Sequence, residues 1–465
     1  MDVERPDFRL WVILICGELQ QPKIKDPVKS TALQREISYY CIKRPGTARD
    51  IQPSAAAGTG RGTYFWPKTS KKYSVVGTKI YSGTTDLGVT LTTSTGRVGF
   101  AETRPYAATN YLGINDGVKL FIISTTDVVT TVTTNFPTPN TTDLIYMDQY
   151  WFVLKADGSL WNCAADDPTT WSLSTFLVSQ MMAGKGVALA RIANYVLSFS
   201  DRHIQYHYDQ ANPSGSPFTN VEQAMQKIGC SVQSSLAQDE DSIWWIGNGY
   251  NGEPTVWALD GTSSLNEIAT EPITRLIGQE GSSLSSAIGM ALRVAGHRFY
   301  ILNLSGANRT FIWHPTIKMW TEWADTTTNS FPFMSVTQVT NAPLLQHTTD
   351  GYLYTISPTV YQDNAVNFTV TIIFGRDDFD TIKRKFCNRV DFIGDAQTTV
   401  ANALSISYSD DDYATFSTAR SYDPSIVHTF SRAWWNFRRR SWKVTYVGNT
   451  PFRGWGLELD LSLGN

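Results

Sequence analysis

Tyr150-Trp151-Phe152-Val153-Leu154-Lys155-Ala156-Asp157-Gly158-Ser159-Leu160-Trp161 is two runs of aromatic and branched residues joined at an Asp-Gly dipeptide. Asp-Gly readily takes the positive backbone angles of a tight hairpin turn, and such runs fit a pleated sheet, so the stretch predicts a β-hairpin. The unit recurs. Leu112-Gly113-Ile114 and Leu120-Phe121-Ile122-Ile123 flank Asp116-Gly117, Ile243-Trp244-Trp245-Ile246 and Thr255-Val256-Trp257-Ala258-Leu259 flank Asn251-Gly252, and Leu353-Tyr354 follows Asp350-Gly351. The Asp-Gly pairs at 116, 157, 260 and 350 are separated by 41, 103 and 90 residues. These are one, two and two units of roughly 40–50 residues, the length of a propeller blade. With intervening units at Val187–Tyr208 and Leu292–Trp323, the pattern predicts an all-β chain built on a β-propeller of about six blades. A stacked pair of β-sandwiches is the competing reading.

Composition agrees. The 465 residues carry 15 Trp, 21 Tyr and 22 Phe, and only 17% are charged, a balance that suits wide sheet faces and argues against long helical bundles. Two short helices are expected, over 220–227 with Asn220 as N-cap and over 270–277 with Pro272 in the first turn. The longest apolar run, Leu10–Cys16, is too short to span a membrane, and Asp2, Glu4 and Asp7 stand where a secretory signal would be basic. The five cysteines, at 16, 41, 163, 230 and 387, form no C-x-x-C pair. The expectation is a soluble protein folded in a reducing cytoplasm, with neither a disulfide framework nor a zinc knuckle.

Charge and punctuation divide the chain into three. Residues 1–100 hold 15 basic and 8 acidic side chains, residues 101–365 hold 12 and 23, and residues 366–465 hold 12 and 11. We expect an N-terminal β/loop segment over 1–105 that forms a platform facing a partner, the propeller over 106–365, and a C-terminal β unit over 366–465 that completes the platform or closes the propeller ring. An acidic middle does not bind phosphate along its length, because that requires clustered Lys and Arg. Basic runs are short: Lys71-Lys72, Lys383-Arg384-Lys385 and Arg438-Arg439-Arg440.

The chemical motifs mostly read as structure. Gly247-Asn248-Gly249-Tyr250-Asn251-Gly252 has dinucleotide-loop spacing but leads into Pro254 and a strand, so it is expected to be a hairpin loop. Gly58-Thr59-Gly60-Arg61-Gly62 lacks the Lys-Ser/Thr ending of a phosphate loop and reads as a mobile loop. His203 and His207 lack a third metal ligand at suitable spacing and read as surface histidines. Ser409-Asp410-Asp411-Asp412-Tyr413-Ala414-Thr415-Phe416 resembles the Asp box, a structural turn of sialidase-type propellers. No catalytic, cofactor or metal residues are assigned. The interface candidates are Arg438 and Arg440, expected to share one face of a strand that Arg439 opposes. On the same logic, Trp244 and Trp245 point to opposite faces, one ring buried between blades and the other nearer a blade edge.

Four stretches carry a family resemblance: Lys227-Ile228-Gly229-Cys230-Ser231-Val232-Gln233-Ser234-Ser235-Leu236-Ala237, then Asp241–Gly247 with Trp244-Trp245, then Val256–Gly261, then Ile268–Ile273. The chain resembles the tail nozzle or hub proteins of short-tailed bacteriophages, also called packaged-DNA stabilisation proteins. The segment from Ser200 to Phe218 and the region from Tyr408 to Tyr446 are similar as well, whereas the first hundred residues depart from the family's opening. The resemblance implies a non-enzymatic virion protein of the tail, made in the host cytoplasm. It implies a homo-hexameric ring beneath a twelve-subunit head-to-tail adaptor, with tail fibre or tailspike proteins as neighbours and genomic double-stranded DNA passing through without sequence-specific binding. It implies no cofactor and no membrane, and gives the ring the role of retaining the genome and gating its ejection. The alternatives that the residues leave open are a carbohydrate-active propeller enzyme and a glycan-binding adhesin.

Overall fold

The opening hairpin forms as its sequence dictates. Tyr150–Leu154 pairs antiparallel with Ser159–Ala164, with Val153 opposite Trp161 and Leu154 opposite Leu160. Gly158 turns the chain at φ +85, and its amide donates to the Lys155 carbonyl at 3.0 Å. Trp151, Phe152, Val153 and Leu154 are all buried, although a strand points successive side chains to opposite faces. Both faces are therefore covered: Trp151 and Val153 pack with Leu120 and Ile122 of the preceding sheet, while Phe152 and Leu154 pack with Leu189, Val196 and Phe218 of the following one.

The computed structural model describes residues 14–17, 40–104, 109–178, 184–249, 252–326, 328–339, 342–379, 381–396, 403–426, 430–432 and 434–464. Most of the apolar run Leu10–Cys16 and the early acidic residues lie outside them. Seven four-stranded antiparallel sheets form the blades. Their first, innermost strands are Gly60–Trp66, Gly99–Glu102, Ile145–Met147, Gly186–Ile192, Ala237–Asp239, Ile288–Val294 and Phe333–Thr337, which neighbour one another in sequence around the axis. The propeller is as expected, with one blade more than the six hairpin units read from the Asp-Gly spacing. The extra blade, residues 60–90, comes from the segment assigned to a separate N-terminal unit.

Two features hid this blade. Gly60 and Gly62 belong to an inner strand rather than a mobile loop, and a Cβ at Gly60 would lie 2.4 Å from the His347 carbonyl of blade 7. Arg61 between them is buried, donating to the carbonyls of Gly96, Thr93, Thr95 and Gly77 at 2.6–3.1 Å. The ring closes at this seam. Buried Gln346 of blade 7 accepts the Gly62 amide at 2.7 Å and donates to the Val75 carbonyl at 2.9 Å, while Ser335 and Thr337 accept the amides of Thr63 and Phe65. The outer strand of blade 7 is Gly46–Ile51, so the N-terminal region, not the C-terminal unit, closes the propeller.

By compactness the chain divides into residues 49–311 with 330–356, and residues 1–48 with 312–329 and 357–465, rather than at 105 and 365. The second unit contains a β-sandwich. One sheet runs Thr369–Ile373, Ser441–Val447, Leu404–Ser409, Arg420–Tyr422. The other runs Leu14–Gly17, Tyr40–Lys43, Arg453–Leu463, Lys385–Gly394, Phe430–Arg432, with Asn436–Phe437 also paired to Lys385–Gly394. Val370, Ile406, Val444 and Tyr446 of the first meet Cys387 and Val390 of the second, with Trp434 and Phe437. Residues 43–47 are tied into this unit by charge. Arg44 pairs with Asp363 and lies 3.9 Å over the Phe368 ring, and buried Lys43 lies 4.2 Å over the same ring with its ammonium on the Gly448 carbonyl.

The helix expected at 270–277 spans Glu271–Gln279 and buries Ile273 and Ile277, one turn apart. The other expected helix is a strand, Phe218–Gln226, whose Asn220 and Val221 pair with His207 and Tyr206; sheet pairing overrides the helical preference of Glu222-Gln223-Ala224-Met225. Trp244 and Trp245 do point to opposite faces, but both are buried. Trp245 meets Phe199 of blade 4 edge-on at 5.1 Å, and Trp244 stacks on Tyr300 of blade 6 at 5.8 Å.

Trp244→Ala and Trp245→Ala should therefore be comparably damaging, each costing about 3–5 kcal/mol in equilibrium urea unfolding. A second expectation concerns pH. Burial, and then the neighbouring Arg44 charge, lower the Lys43 pKa to about 8. Between that value and the ordinary 10.5 the unfolded chain holds a proton that the folded chain has released, so stability rises with pH across this window, by at most about 1.4 kcal/mol per unit. That is the contribution of Lys43 alone, and the thiols of Cys163, Cys230 and Cys387, raised by burial, act in the opposite sense over the same window. Between pH 8 and pH 10, Lys43→Met should therefore lose stability relative to the native chain in paired denaturation curves.

Candidate functional site

The stretch that carries the family resemblance folds at the centre of the propeller. Gln233–Ser235 is a single 3-10 turn placed just before Ala237–Asp239, the inner strand of blade 5. A turn in that position lies beside the axis, and its hydrogen bonds leave in several directions. The Gln233 side chain donates to Thr142 ahead of blade 3 at 2.9 Å, and the Leu236 carbonyl accepts Arg97 ahead of blade 2 at 3.3 Å. The Ser234 hydroxyl donates to the Ala287 carbonyl ahead of blade 6 at 2.7 Å, and the Ser235 carbonyl accepts the Tyr300 hydroxyl at 2.9 Å. Ser235 also binds its own blade, accepting the Ile246 amide at 2.9 Å.

The other residues of the stretch make this turn possible. A Cβ at Gly229 would lie 2.3 Å from the Arg202 amide nitrogen, and the Gly229 carbonyl accepts the Trp245 indole at 2.9 Å. Across the turn, Gly289 lets Ser235 approach; a Cβ there would lie 1.9 Å from the Ser235 carbonyl oxygen. Cys230 is buried, which pushes its thiol up to about 12, so it is packing rather than a nucleophile. At this end of the propeller the turn thus bridges from blade 5 to elements ahead of blades 2, 3 and 6.

Two carboxylates near the inner strands could suggest acid–base chemistry, but each has its own partners. Burial raises Asp143, which accepts the Leu189 amide at 2.9 Å and feels Arg97. Burial likewise raises Glu102, which is hydrogen-bonded to Tyr64 and feels Arg191. His203 and His207 are buried, not superficial: His203 shares a hydrogen bond with Ser200 at 2.7 Å and His207 with Ser198 at 2.8 Å, and desolvation lowers His207 to about 4. Among the described residues no three His, Cys, Asp or Glu side chains could together hold a metal. The glycine motif at 247–252 is a hairpin loop, with the Gly249 amide donating to the Glu253 carbonyl at 2.6 Å and Gly252 at φ +85; Tyr250 and Asn251 lie outside the described residues.

The basic run lies in the sandwich unit, in the turn between Asn436–Phe437 and Ser441–Val447 rather than on a strand, so simple alternation does not apply. Arg438 and Arg439 are exposed, whereas Arg440 is 1% exposed. Its guanidinium takes both Asp410 oxygens at 2.7 and 2.8 Å, donates to the Trp434 carbonyl at 2.6 Å, and lies 3.7 Å over Tyr408 and 4.2 Å over Phe437. Arg438 and Arg440 thus share no surface. Sequence reading missed the burial of Arg440, for which the flanking Trp434 and Trp442 were the available signal. The neighbouring Asp-box-like turn is structural: Asp411 accepts the Thr415 hydroxyl, the Thr415 amide at 2.9 Å and the Ser409 hydroxyl at 2.7 Å, bonds that hold its carboxyl down at about 2. Tyr413 takes φ +72 where the motif has glycine.

A family model described as "Bacteriophage P22 Gp10, beta-propeller" matches residues 34–360. The chain belongs to this family of phage tail proteins. As a member it is a virion component with a structural rather than an enzymatic role. The search of curated proteins returns no match. Solved structures similar in fold include a streptogramin B lyase, 10% identical at a TM-score of 0.45 over 67% of this chain and 97% of that one. Virginiamycin B lyase from Staphylococcus aureus is 8% identical at a TM-score of 0.45, over 68% and 99%. PorZ of the Porphyromonas gingivalis type-IX secretion system is 11% identical at a TM-score of 0.40, over 81% and 46%. No helix among the described residues is long and apolar enough to cross a membrane.

Arg440→Ala leaves Asp410 without its partner and opens a void among Tyr408, Phe437 and Trp442. We expect a loss of about 3 kcal/mol or more, against less than about 0.5 kcal/mol for Arg438→Ala, measured as a shift in the unfolding of the sandwich unit.

Proposed function

We propose that copies of this tail protein assemble into a ring that continues the DNA channel below the head-to-tail adaptor, holds the packaged genome and gates its release. The observation that carries the reading is the family match across residues 34–360. The axial turn adds a constraint. Gln233–Leu236 bridges to elements ahead of blades 2, 3 and 6, and in this reading it bars the propeller's own axis, so that the double helix passes between copies and not through one. The charge of residues 101–365, with 12 basic against 23 acidic side chains, suits surfaces along which DNA slides, since phosphate is repelled rather than held. In this reading the ring is a homo-hexamer, the platform that faces the adaptor is built from the N-terminal segment together with the C-terminal β unit, and tail fibres or tailspikes attach around the ring.

The test uses particles assembled without this chain. They should carry adaptors and package DNA but lose it on standing, seen as genome that becomes nuclease-sensitive while heads remain intact. Retention as complete as in normal particles would refute the retaining role.

A further inference from the structure

Two basic runs far apart in sequence meet at one end of the sandwich. Lys385 pairs with both Phe437 and Leu463, and its buried ammonium donates to the carbonyls of Thr381, Lys383 and Arg438. Lys385 and Arg440 are therefore consumed by the fold, while Lys383, Arg384, Arg438 and Arg439 remain exposed around them. The same end displays large apolar side chains: Ile382 is 84% exposed, Trp435 70%, Leu463 62% and Phe386 43%. Trp435 is held there at backbone cost. It takes φ +63, an uncommon angle for a bulky residue, and is fixed by reciprocal bonds, with the Cys387 amide on its carbonyl at 3.2 Å and the Trp434 amide on the Cys387 carbonyl at 3.1 Å. Apolar side chains rimmed by four cations are the composition of a protein-binding surface that seeks acid.

The chain itself supplies that acid. Between Ile228 and Leu292 there are eight acidic residues and a single cation, Arg275; of the eight, Asp239 and Glu240 pair with Arg293 of blade 6, and buried Glu280 accepts the Gly306 and Ala307 amides. Asp241, Glu253, Asp260, Glu267 and Glu271 are exposed along blade 5 and the helix that follows it. We infer that the cationic end of the sandwich docks on the acidic blade 5 of the adjacent copy, making a head-to-tail contact. Such a contact joins two different patches and so generates rings when the rotation closes. The inference rests on the ring reading and names the surfaces that would build the ring.

The experiment compares four full-length chains by sedimentation velocity, with negative-stain images of each: the native chain; the quadruple variant Lys383→Glu, Arg384→Glu, Arg438→Glu, Arg439→Glu; the triple variant Glu253→Lys, Glu267→Lys, Glu271→Lys; and the chain carrying all seven changes. The native chain should sediment as a ring that dissociates as salt rises. Either partial variant alone should sediment as a monomer with native circular dichroism, and the sevenfold variant should recover the ring. Recovery cannot come from a damaged sandwich, because the added changes lie in the propeller. Rings from either partial variant would overturn the contact. A sevenfold variant that stays monomeric beside a native ring would overturn the choice of blade 5 and leave another occupant, such as DNA or the adaptor. A native chain that never forms rings removes the ring reading and this contact with it.

Discussion

The hydrogen bonds that converge on the turn Gln233–Leu236 are the constraint around which the propeller is built. Successive blades pack face on face through apolar side chains, and the hydrogen bonds of this turn and of the closing seam tie together elements that this packing alone does not join. At the axis one turn binds elements ahead of blades 2, 3 and 6. At the seam Gln346 binds two strands of blade 1. Both places need backbones closer than a side chain permits, which is why Gly229, Gly289 and Gly60 sit there. In the proposed reading, the turn that bridges these blades makes each propeller a wall segment of the ring and not a pipe.

What was legible in the sequence was local. Asp157-Gly158 and its flanking runs specify a hairpin from within twelve residues, and repetition of that signal leads to a propeller. The first blade was illegible because its decisive partners are remote: Gly60 and Gly62 look like flexible punctuation until the chain of blade 7, almost three hundred residues on, is packed against them. Arg440 fails for the same reason. Three arginines in a row read as surface, and only the arrival of Asp410 and Tyr408 turns one of them into core. The axial turn was singled out by resemblance alone; its Ser and Gln residues show no local reason for being there, since each serves a different blade.

The charge of the two compact units follows a different logic from their cores. In the sandwich some cations are buried in the fold, as Arg44, Lys385 and Arg440 are, whereas Arg438 and Arg439 are exposed, Arg439 lying 4.0 Å from Asp412. Exposed cations beside exposed Trp and Ile contribute little to folding, and the proposed contact between copies gives them a role in assembly. Blade 5 presents the opposite charge, and it is also the blade whose inner turn closes the axis. The blade that organises the propeller would thus also organise the particle.

The central claim is that DNA passes between copies and never through one. The direct measurement is a cryo-electron microscopy reconstruction of the intact particle in which the seven blades of each copy are resolved and the DNA density is traced through the tail. The account predicts rod-like density on the common axis of the ring, with protein density filling each propeller's own axis at Gln233–Leu236. Nucleic-acid density threading the centre of a propeller, or a tail with a single copy of the chain on its axis, would contradict it.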